Sequence, residues 1–191
     1  MEMIEVRNLK KGYRIAKKST GMMGSLKHLI MPQYETLEAV KGISFRINEG
    51  ESVAFLGLNG AGKSTTIKML TGIMKPSDGT VRIMGKDPFL NRIENARRIG
   101  VVFGQKSQLW WDIPVIESFR LLKNIYGIPE EHYTRNMEKF GEILGLHEFL
   151  SQPARKLSLG QRVRADLAAS LLHEPPILFL DVNWCKGFAC A

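Results

Sequence analysis

Residues 57–65 carry the sequence GLNGAGKST, a glycine-rich stretch that ends in Lys63 and Ser64. Glycines let a backbone curl until successive N–H groups point inward, which is how a loop surrounds phosphate oxygens. The apolar run at residues 52–56 comes directly before and predicts a buried parallel strand. The stretch Lys63–Leu70 that follows predicts a helix, whose positive N-terminal end favours an anion. The stretch therefore predicts a phosphate-binding loop between a strand and a helix.

The residue types of this loop assign a role to each of its last positions. The ammonium group of Lys63 would neutralise β- and γ-phosphates, and the hydroxyl of Ser64 would ligate Mg²⁺. The simpler alternative is a glycine-rich turn in which Lys and Ser follow by chance. The motif alone indicates a nucleotide binder and does not separate kinases, GTPases, helicases and transporters.

The remaining sequence predicts an α/β protein with a helical insertion. Apolar or weakly alternating runs predict strands at residues 4–9, 40–47, 80–84, 99–103 and 177–180. Helical periodicity covers residues 115–150 and 161–172. Because a strand returns after the helical block, we expect it to rejoin the same sheet.

Composition favours a globular protein without a membrane span of its own. Of the 191 residues, 44% are apolar and 24% are charged, ordinary values for a globular domain. No apolar run approaches the roughly 20 residues that a membrane-spanning helix needs, and the N-terminus does not have the pattern of a secretory signal. We therefore expect a cytoplasmic location. The net charge of +8 is uneven, since residues 7–34 hold several Lys and Arg and no acid.

Three further motifs follow the loop in a specific order. Gln105 follows the strand predicted at residues 99–103, LSLGQ occupies residues 157–161, and Asp181 ends the apolar strand ILFL. Together with GLNGAGKST, this order and spacing resembles the ATP-binding cassette (ABC) ATPase family over nearly the whole chain up to Asp181. The resemblance implies an α/β P-loop NTPase fold with a RecA-like parallel sheet core, an N-terminal antiparallel β subdomain and a helical subdomain. That fold would be incomplete after the strand that carries Asp181, known as the Walker B strand.

The resemblance also assigns ATP and Mg²⁺ as ligands and places the family's functional residues on this chain. Tyr13 matches the aromatic residue that stacks on adenine, although a structural tyrosine in an edge strand is the alternative. Gln105 and Asp181 match the catalytic glutamine and the Walker B carboxylate, and both join Ser64 as Mg²⁺ ligands. The nucleotide-binding residues implied are Tyr13, Gly57, Asn59, Gly60, Ala61, Gly62, Lys63, Ser64 and Thr65.

The stretch LSLGQ resembles the family signature motif, which caps the nucleotide bound by a second cassette. Its residues here are Ser158, Leu159, Gly160 and Gln161. The family pattern usually has glycine where this chain has Leu159, a departure that is tolerable if the leucine side chain points away from phosphate. The partners implied are a second cassette and an integral membrane permease, with the chain peripheral on the cytoplasmic face of the membrane.

Residues 39–45 and 104–114 resemble cassettes of ABC-2-type exporters. Residues 15–34 are an unusual insertion in which Met22, Met23, Leu26, Leu29 and Ile30 recur at helical spacing beside basic residues. We expect a basic amphipathic helix that contacts the permease or the lipid surface, and the alternative is a helix packed on its own domain. A soluble ABC protein that does not transport remains a rival, while nucleic-acid binding lacks an aromatic-plus-basic motif.

Residues 182–191 differ in character from the rest of the chain. In the family the Walker B aspartate is followed by a glutamate that acts as general base, whereas this chain has Val182. The switch histidine and the remaining strands are also missing, and both cysteines, Cys185 and Cys190, lie in this tail. We therefore predict an ATP-binding domain at residues 1–181, with its helical subdomain at about 106–160, and an aberrant tail. The chain would be a hydrolysis-deficient fragment, or alternatively a degenerate cassette that only binds ATP.

Overall fold

The computed structural model describes residues 1–16, 34–58, 60–103 and 107–181. The chain divides into two compact units, Met1–Arg92 and Ile93–Ala191. The first unit contains the glycine-rich loop, and the second contains LSLGQ and Asp181.

The first unit is built on an antiparallel sheet. Its strands are β1 (Glu2–Ala16), β2 (Tyr34–Asn48) and β3 (Asp78–Ile83), in the order β2-β1-β3. Apolar side chains of β1 and β3 form the buried layer of the sheet: Ile4, Val6, Leu9, Val81 and Ile83. The antiparallel β subdomain is thus confirmed, and β1 and β2 run longer than their apolar periodicity predicts.

The strand predicted at residues 52–56 is wrong for this structure. Residues 51–58 have no strand assignment, and Val53 and Leu56 are 53% and 92% exposed. A β-strand needs a neighbour that accepts and donates its backbone hydrogen bonds, and no described strand pairs with this segment. Its only ring contact among the described residues joins Phe55 to Phe45 of β2, with centroids 5.5 Å apart.

The helix α1 (Lys63–Leu70) follows the loop and begins at the predicted residue. It buries Ile67, Met69 and Leu70. Its N-terminus lies directly against β2, because a Cβ added to Gly62 would lie 2.3 Å from the carbonyl oxygen of Ala39. Gly62 also has φ 87°, a left-handed conformation that side chains disfavour. Both constraints require glycine at the start of this helix.

The second unit combines two parallel strands with a helical core. Its elements are α2 (Arg92–Arg98), β4 (Ile99–Val102), α3 (Val115–Tyr126), α4 (Glu130–Leu144), α5 (Leu159–Leu171) and β5 (Ile177–Leu180). Strands β4 and β5 pair in parallel, with Ile99 opposite Ile177 and Val102 opposite Leu180. In β5, Phe179 is 7% exposed, whereas Leu178 and Leu180 are 37% and 41% exposed, so the apolar strand is buried on one face only.

The helices of this unit surround a core that is separate from the two strands. Residue 115 begins α3 as predicted, and Gly127 and Pro129 divide the helical stretch in two. Glycine at φ 65° ends α3, and proline cannot supply the next helical N–H. The largest fully buried side chains of the core are Phe119, Phe149, Leu146 and Leu172.

The ends of the predicted amphipathic insertion belong to strands instead of a helix. Ile15 pairs with Glu35 and Ala16 pairs with Tyr34, so both strands continue into the range predicted as insertion. The prediction fails at these ends because cross-strand hydrogen bonds hold the residues in strands, and helical periodicity in the sequence does not reveal such bonds. Residues 17–33, with the apolar and basic side chains of the predicted helix, lie outside the described residues. Within the described ranges, none of the helices combines the length and the apolar character needed to cross a bilayer.

The contact between Gly62 and β2 predicts a difference between two glycines of the same loop. Gly60 has φ 86°, close to that of Gly62, but a Cβ added there meets no atom within 4 Å. We expect Gly60→Ala to lower the free energy of unfolding by about 1–2 kcal/mol, through backbone strain alone. Gly62→Ala should lose about 1–3 kcal/mol more, because the new methyl group overlaps the Ala39 carbonyl.

Urea unfolding followed by circular dichroism would measure both losses, with the parent chain as reference. Equal losses for the two variants would contradict the close approach of α1 to β2.

Candidate nucleotide-binding site

The ammonium group of Lys63 bends back over the loop that precedes it. Its Nζ donates hydrogen bonds to the carbonyl oxygens of Gly57, at 2.5 Å, and Leu58, at 2.9 Å. The amide of Ala61 donates to the same Leu58 carbonyl at 3.1 Å, which closes a turn inside the loop. The backbone of Lys63 therefore belongs to the first turn of α1, while its positive charge is held at the start of the loop.

The loop offers a phosphate both open backbone and positive potential. Gly57, Leu58, Gly60 and Ala61 are exposed, and Gly57 and Gly60 have φ values of 151° and 86°. Glycine at the N-cap position leaves α1 without a side-chain cap, and the first turn contains no acid. A helix N-terminus of this kind favours a bound anion. These features fit the polyphosphate of a nucleotide.

The hydroxyl-bearing residues at the start of α1 differ in their surroundings. Ser64 and Thr65 are half-buried in the first turn, where Ser64 is the predicted Mg²⁺ ligand. Thr66 is buried, and its Oγ1 donates to the carbonyl of Gly62 at 3.0 Å. This bond supports the helix start that Gly62 allows.

Tyr13 lies on β1, in the same unit as the loop. It pairs with Leu37 of β2, two residues before the Ala39 carbonyl that contacts the start of α1. The ring is half-buried, its hydroxyl donates to the sulfur of Met74 at 3.1 Å, and the Lys11 ammonium lies 5.6 Å from its centroid. The tyrosine thus belongs to the strand pair β1–β2 and is anchored through its hydroxyl to Met74, four residues after the end of α1. Its role in adenine stacking stays a prediction.

Asp181 leaves the carboxyl end of β5 in the second unit. Its amide donates to the carbonyl of Val102, the last residue of β4, at 3.0 Å, so the parallel ladder continues one residue past the end of β5. Parallel strands direct their carboxyl ends to the same sheet edge, where ligands of α/β proteins bind. The half-buried Asp181 therefore emerges at the edge where the chain leaves β4.

The signature-like residues form the first turn of α5. Ser158 is the N-cap residue, and its Oγ accepts from the amide of Gln161 at 3.2 Å while Oε1 of Gln161 accepts from the amide of Ser158 at 2.9 Å. This reciprocal pair is a capping box, which stabilises the start of a helix. Ser158, Leu159 and Gly160 are exposed, and a Cβ at Gly160 would meet no atom within 4 Å. The turn is therefore accessible to a partner molecule, and Leu159 is not required by the core.

Three predicted positions lie outside the described residues: Asn59, Gln105 and Val182. Their roles stay predictions from the sequence. Of the three predicted Mg²⁺ ligands, Ser64 belongs to the first unit and Asp181 to the second.

Asp166, a buried carboxylate of α5, was not among the residues predicted from the sequence. Only 8% of it is exposed, and its Oδ1 accepts hydrogen bonds from Oγ of Ser107 and the amide of Gln108, both at 2.8 Å. Burial raises the pKa of this carboxyl group, and the two hydrogen bonds and the charge of Arg162 partly oppose that rise. One acid inside the apolar run Ala165–Ala169 was the available signal, since a charge is seldom buried without partners.

Comparison with known proteins identifies the family of the chain. The family model described as ABC transporter matches residues 40–182. The ABC transporter ATP-binding protein NatA of Bacillus subtilis is 29% identical over 147 residues, which are 77% of this chain and 60% of NatA. The bacitracin transport ATP-binding protein BcrA of Bacillus licheniformis is 34% identical over 148 residues, 78% of this chain and 47% of BcrA. The chain thus spans about half to three fifths of these two relatives.

Solved structures of ABC cassettes share the fold. A dimeric structure of MJ0796, described as a bacterial ABC transporter cassette, superposes with a TM-score of 0.75 at 26% identity. The superposition covers 98% of this chain and 76% of that one. An ATP-binding subunit of an ABC transporter gives a TM-score of 0.74 at 27% identity over 94% of this chain and 65% of the other.

The matched range, residues 40–182, includes the glycine-rich loop, the capped turn at the start of α5, and Asp181 at the end of β5. On this evidence the chain belongs to the ABC transporter family, as a P-loop NTPase of the ATP-binding cassette type.

Proposed function

We propose that the chain binds Mg²⁺–ATP and serves as the ATP-binding subunit of an ABC exporter. The observation that carries the proposal is the loop at residues 57–63, in which the Lys63 ammonium closes over the carbonyls of Gly57 and Leu58. A cation held at the open side of an exposed glycine turn, at a helix N-terminus, is suited to the negative charge of a triphosphate.

Each ligand group of the nucleotide has a candidate partner on this chain. Lys63 and the amides from Gly60 to Ser64 would hold the β- and γ-phosphates, and Tyr13 would stack on the adenine. Ser64, Gln105 and Asp181 would hold Mg²⁺, whose preferred ligands are oxygens. The bound metal would neutralise charge that develops on the phosphates.

The exposed turn Ser158–Gln161 supports a role for a second cassette. In the mode that the family resemblance implies, this turn covers the γ-phosphate of the nucleotide bound by the partner. The capping box fixes the direction of the turn, and the open space at Gly160 leaves its backbone approachable. Leu159 is 67% exposed, so packing does not prevent its side chain from turning away from the phosphate.

Hydrolysis is expected to be weak. Val182 follows Asp181 at the position where the family resemblance places the general base, and valine cannot accept a proton. The loss of a general base slows a reaction by about 10²–10⁴-fold. A cassette that binds ATP and regulates a competent partner is the alternative, and it shares the same binding site.

The names of the relatives support a transport role. Relatives include BcrA, named for bacitracin transport, and PotA of Spiroplasma citri, named for spermidine and putrescine import. Residues 39–45 and 104–114 resemble the exporter subgroup. We propose that a separate membrane permease holds the chain at the cytoplasmic face and determines the transported substrate. A soluble ABC protein without transport activity is the rival assignment.

Substitution of Lys63 tests the binding site directly. Lys63→Ala removes a charge-assisted contact of about 1.5–3 kcal/mol, so the affinity for Mg²⁺–ATP should fall at least about tenfold. Lys68→Ala is the matched control, because Lys68 lies exposed in the last turn of the same helix, away from the loop.

Titration with a fluorescent ATP analogue, monitored by anisotropy, would give both affinities. The phosphate-loop assignment fails if Lys63→Ala binds as tightly as the parent chain.

The insertion between β1 and β2 can be removed without disturbing the strands. Because Ala16 and Tyr34 are cross-strand partners, replacing residues 17–33 by Asn-Gly would close a two-residue hairpin. We expect this deletion to leave ATP affinity unchanged and to abolish recruitment to membranes that contain the permease. We expect this loss because the deletion removes the basic amphipathic sequence that we predict contacts the permease or the lipid surface.

Membrane fractionation of cells that express each form would measure recruitment, with Lys63→Ala as a binding-deficient control that keeps the insertion. Unchanged fractionation of the deletion form would indicate that the insertion serves only its own domain.

A further inference from the structure

The ring of Tyr13 is held in place by the segment that follows α1. Its hydroxyl donates a hydrogen bond to Sδ of Met74 at 3.1 Å. Met74 is itself attached to the helix, because its amide donates to the carbonyl of Lys68 at 2.9 Å. Tyr13 is therefore connected through Met74 to the last turn of α1, the helix that begins at the phosphate loop.

The strand next to Tyr13 is fixed to the same segment through its backbone. The amide of Gly12 donates to Oγ of Ser77 at 3.1 Å, and the amide of Ser77 donates to the carbonyl of Lys10 at 2.9 Å. The ammonium group of Lys10 also forms an ion pair with Asp78 at 3.2 Å. A side chain held at both its backbone and its far end has little freedom left to lose when a ligand binds.

One face of the Tyr13 ring carries a positive charge. Nζ of Lys11 lies over the ring, 5.6 Å from its centroid, within the range of a cation–π interaction. The ammonium group is held there, because it also donates to the carbonyl of Lys75 at 2.9 Å. Both side chains are half-buried. Since the ammonium group occupies one face of the ring, a flat ligand would stack on the opposite face.

A cation on one face of an aromatic ring changes how the other face stacks. The cation draws the π electrons of the ring towards itself, so the opposite face repels the π electrons of a stacked base less strongly. Stacking of a base on an aromatic side chain tolerates every base, but a purine covers more of the ring than a pyrimidine does. The cation should therefore stabilise a stacked purine more than a stacked pyrimidine.

We propose that Lys11 is a positioning residue that acts through the Tyr13 ring: it directs the base to the face opposite its ammonium group and favours purine over pyrimidine nucleoside triphosphates. The proposal rests on the proposed function, which assigns Tyr13 to adenine stacking. The phosphate loop binds the phosphates that all nucleoside triphosphates share, so it does not distinguish the bases. Lys11 and Tyr13 together supply that distinction.

Calorimetric titration of the full chain with Mg²⁺–ATP, Mg²⁺–CTP and Mg²⁺–tripolyphosphate separates the base from the phosphates, since tripolyphosphate has no base. Lys11→Gln removes the charge and keeps an N–H donor for the Lys75 carbonyl. We expect its affinity for ATP to fall about twofold to fivefold, the range of an exposed cation–π contact. Its affinity for tripolyphosphate should stay unchanged, and its ratio of ATP to CTP affinity should fall.

Three further variants define the cause of that loss, each checked for its fold by circular dichroism. Lys11→Arg keeps a cation over the ring and should retain the parent's ratio of ATP to tripolyphosphate affinity. Lys10→Gln is the matched control, because it removes the same charge one residue away, where the ammonium group pairs with Asp78 instead of the ring; it should also keep the ratio. Lys11→Gln added to Tyr13→Leu should have no further effect on ATP affinity, since the ring is already absent.

Four results would overturn the proposal. They are an unchanged ratio of ATP to tripolyphosphate affinity in Lys11→Gln, an equal loss in Lys10→Gln, a folded Lys11→Arg that loses as much as Lys11→Gln, and a further loss from Lys11→Gln in the Tyr13→Leu chain. A parent chain that binds neither ATP nor tripolyphosphate would instead refute the proposed phosphate site. Parent-like ATP affinity in Tyr13→Leu alone would refute the adenine assignment, and the role of Lys11 would fall with it.

Discussion

The carbonyl oxygen of Ala39 leaves no room for a side chain at the residue that begins α1. A Cβ at Gly62 would lie 2.3 Å from that oxygen, so only glycine allows the helix to start this close to β2. This contact fixes where the first amides of α1 lie relative to the sheet. Lys63, the next residue, can then bend back to Gly57 and Leu58 and define the phosphate loop. Phosphate binding, the candidate function of the first unit, therefore depends on the close contact between the backbones of Gly62 and Ala39.

In the second unit, side-chain hydrogen bonds fix the start of α5 in the way that the close backbone contact fixes the start of α1. Ser158 and Gln161 cap each other's backbone, which explains locally why a signature turn contains these two residue types. The same turn is exposed, and its capping box stabilises it without any contact from a partner. Asp166, two turns further along α5, accepts hydrogen bonds from Ser107 and Gln108. The side chain of Gln108 in turn donates to the carbonyl of Val101 in β4, so α5 is connected to the strand that pairs with β5.

Local motifs were predictable from the sequence, whereas features that depend on distant partners were not. The start of α1 at Lys63 follows from glycine chemistry within a few residues, and the order of the motifs was recognised by its resemblance to a known family. The strand predicted at residues 52–56 is wrong because no described strand pairs with it, and the lengths of β1 and β2 were underestimated because their outer pairs include polar residues. Asp166 escaped notice because its partners lie 58 and 59 residues away in the chain. The roles of Asn59, Gln105 and Val182 remain predictions.

The central claim is that backbone amides of the glycine-rich loop bind the outer phosphates of ATP. Nitrogen-15 NMR of the labelled chain, titrated in parallel with Mg²⁺–ATP and with AMP, would observe those amides directly. The account predicts large, saturable shifts of the Gly60, Gly62, Lys63 and Ser64 amides with Mg²⁺–ATP and none with AMP, which lacks the β- and γ-phosphates. Shifts confined to residues outside the loop, or equal shifts with both nucleotides, would contradict it.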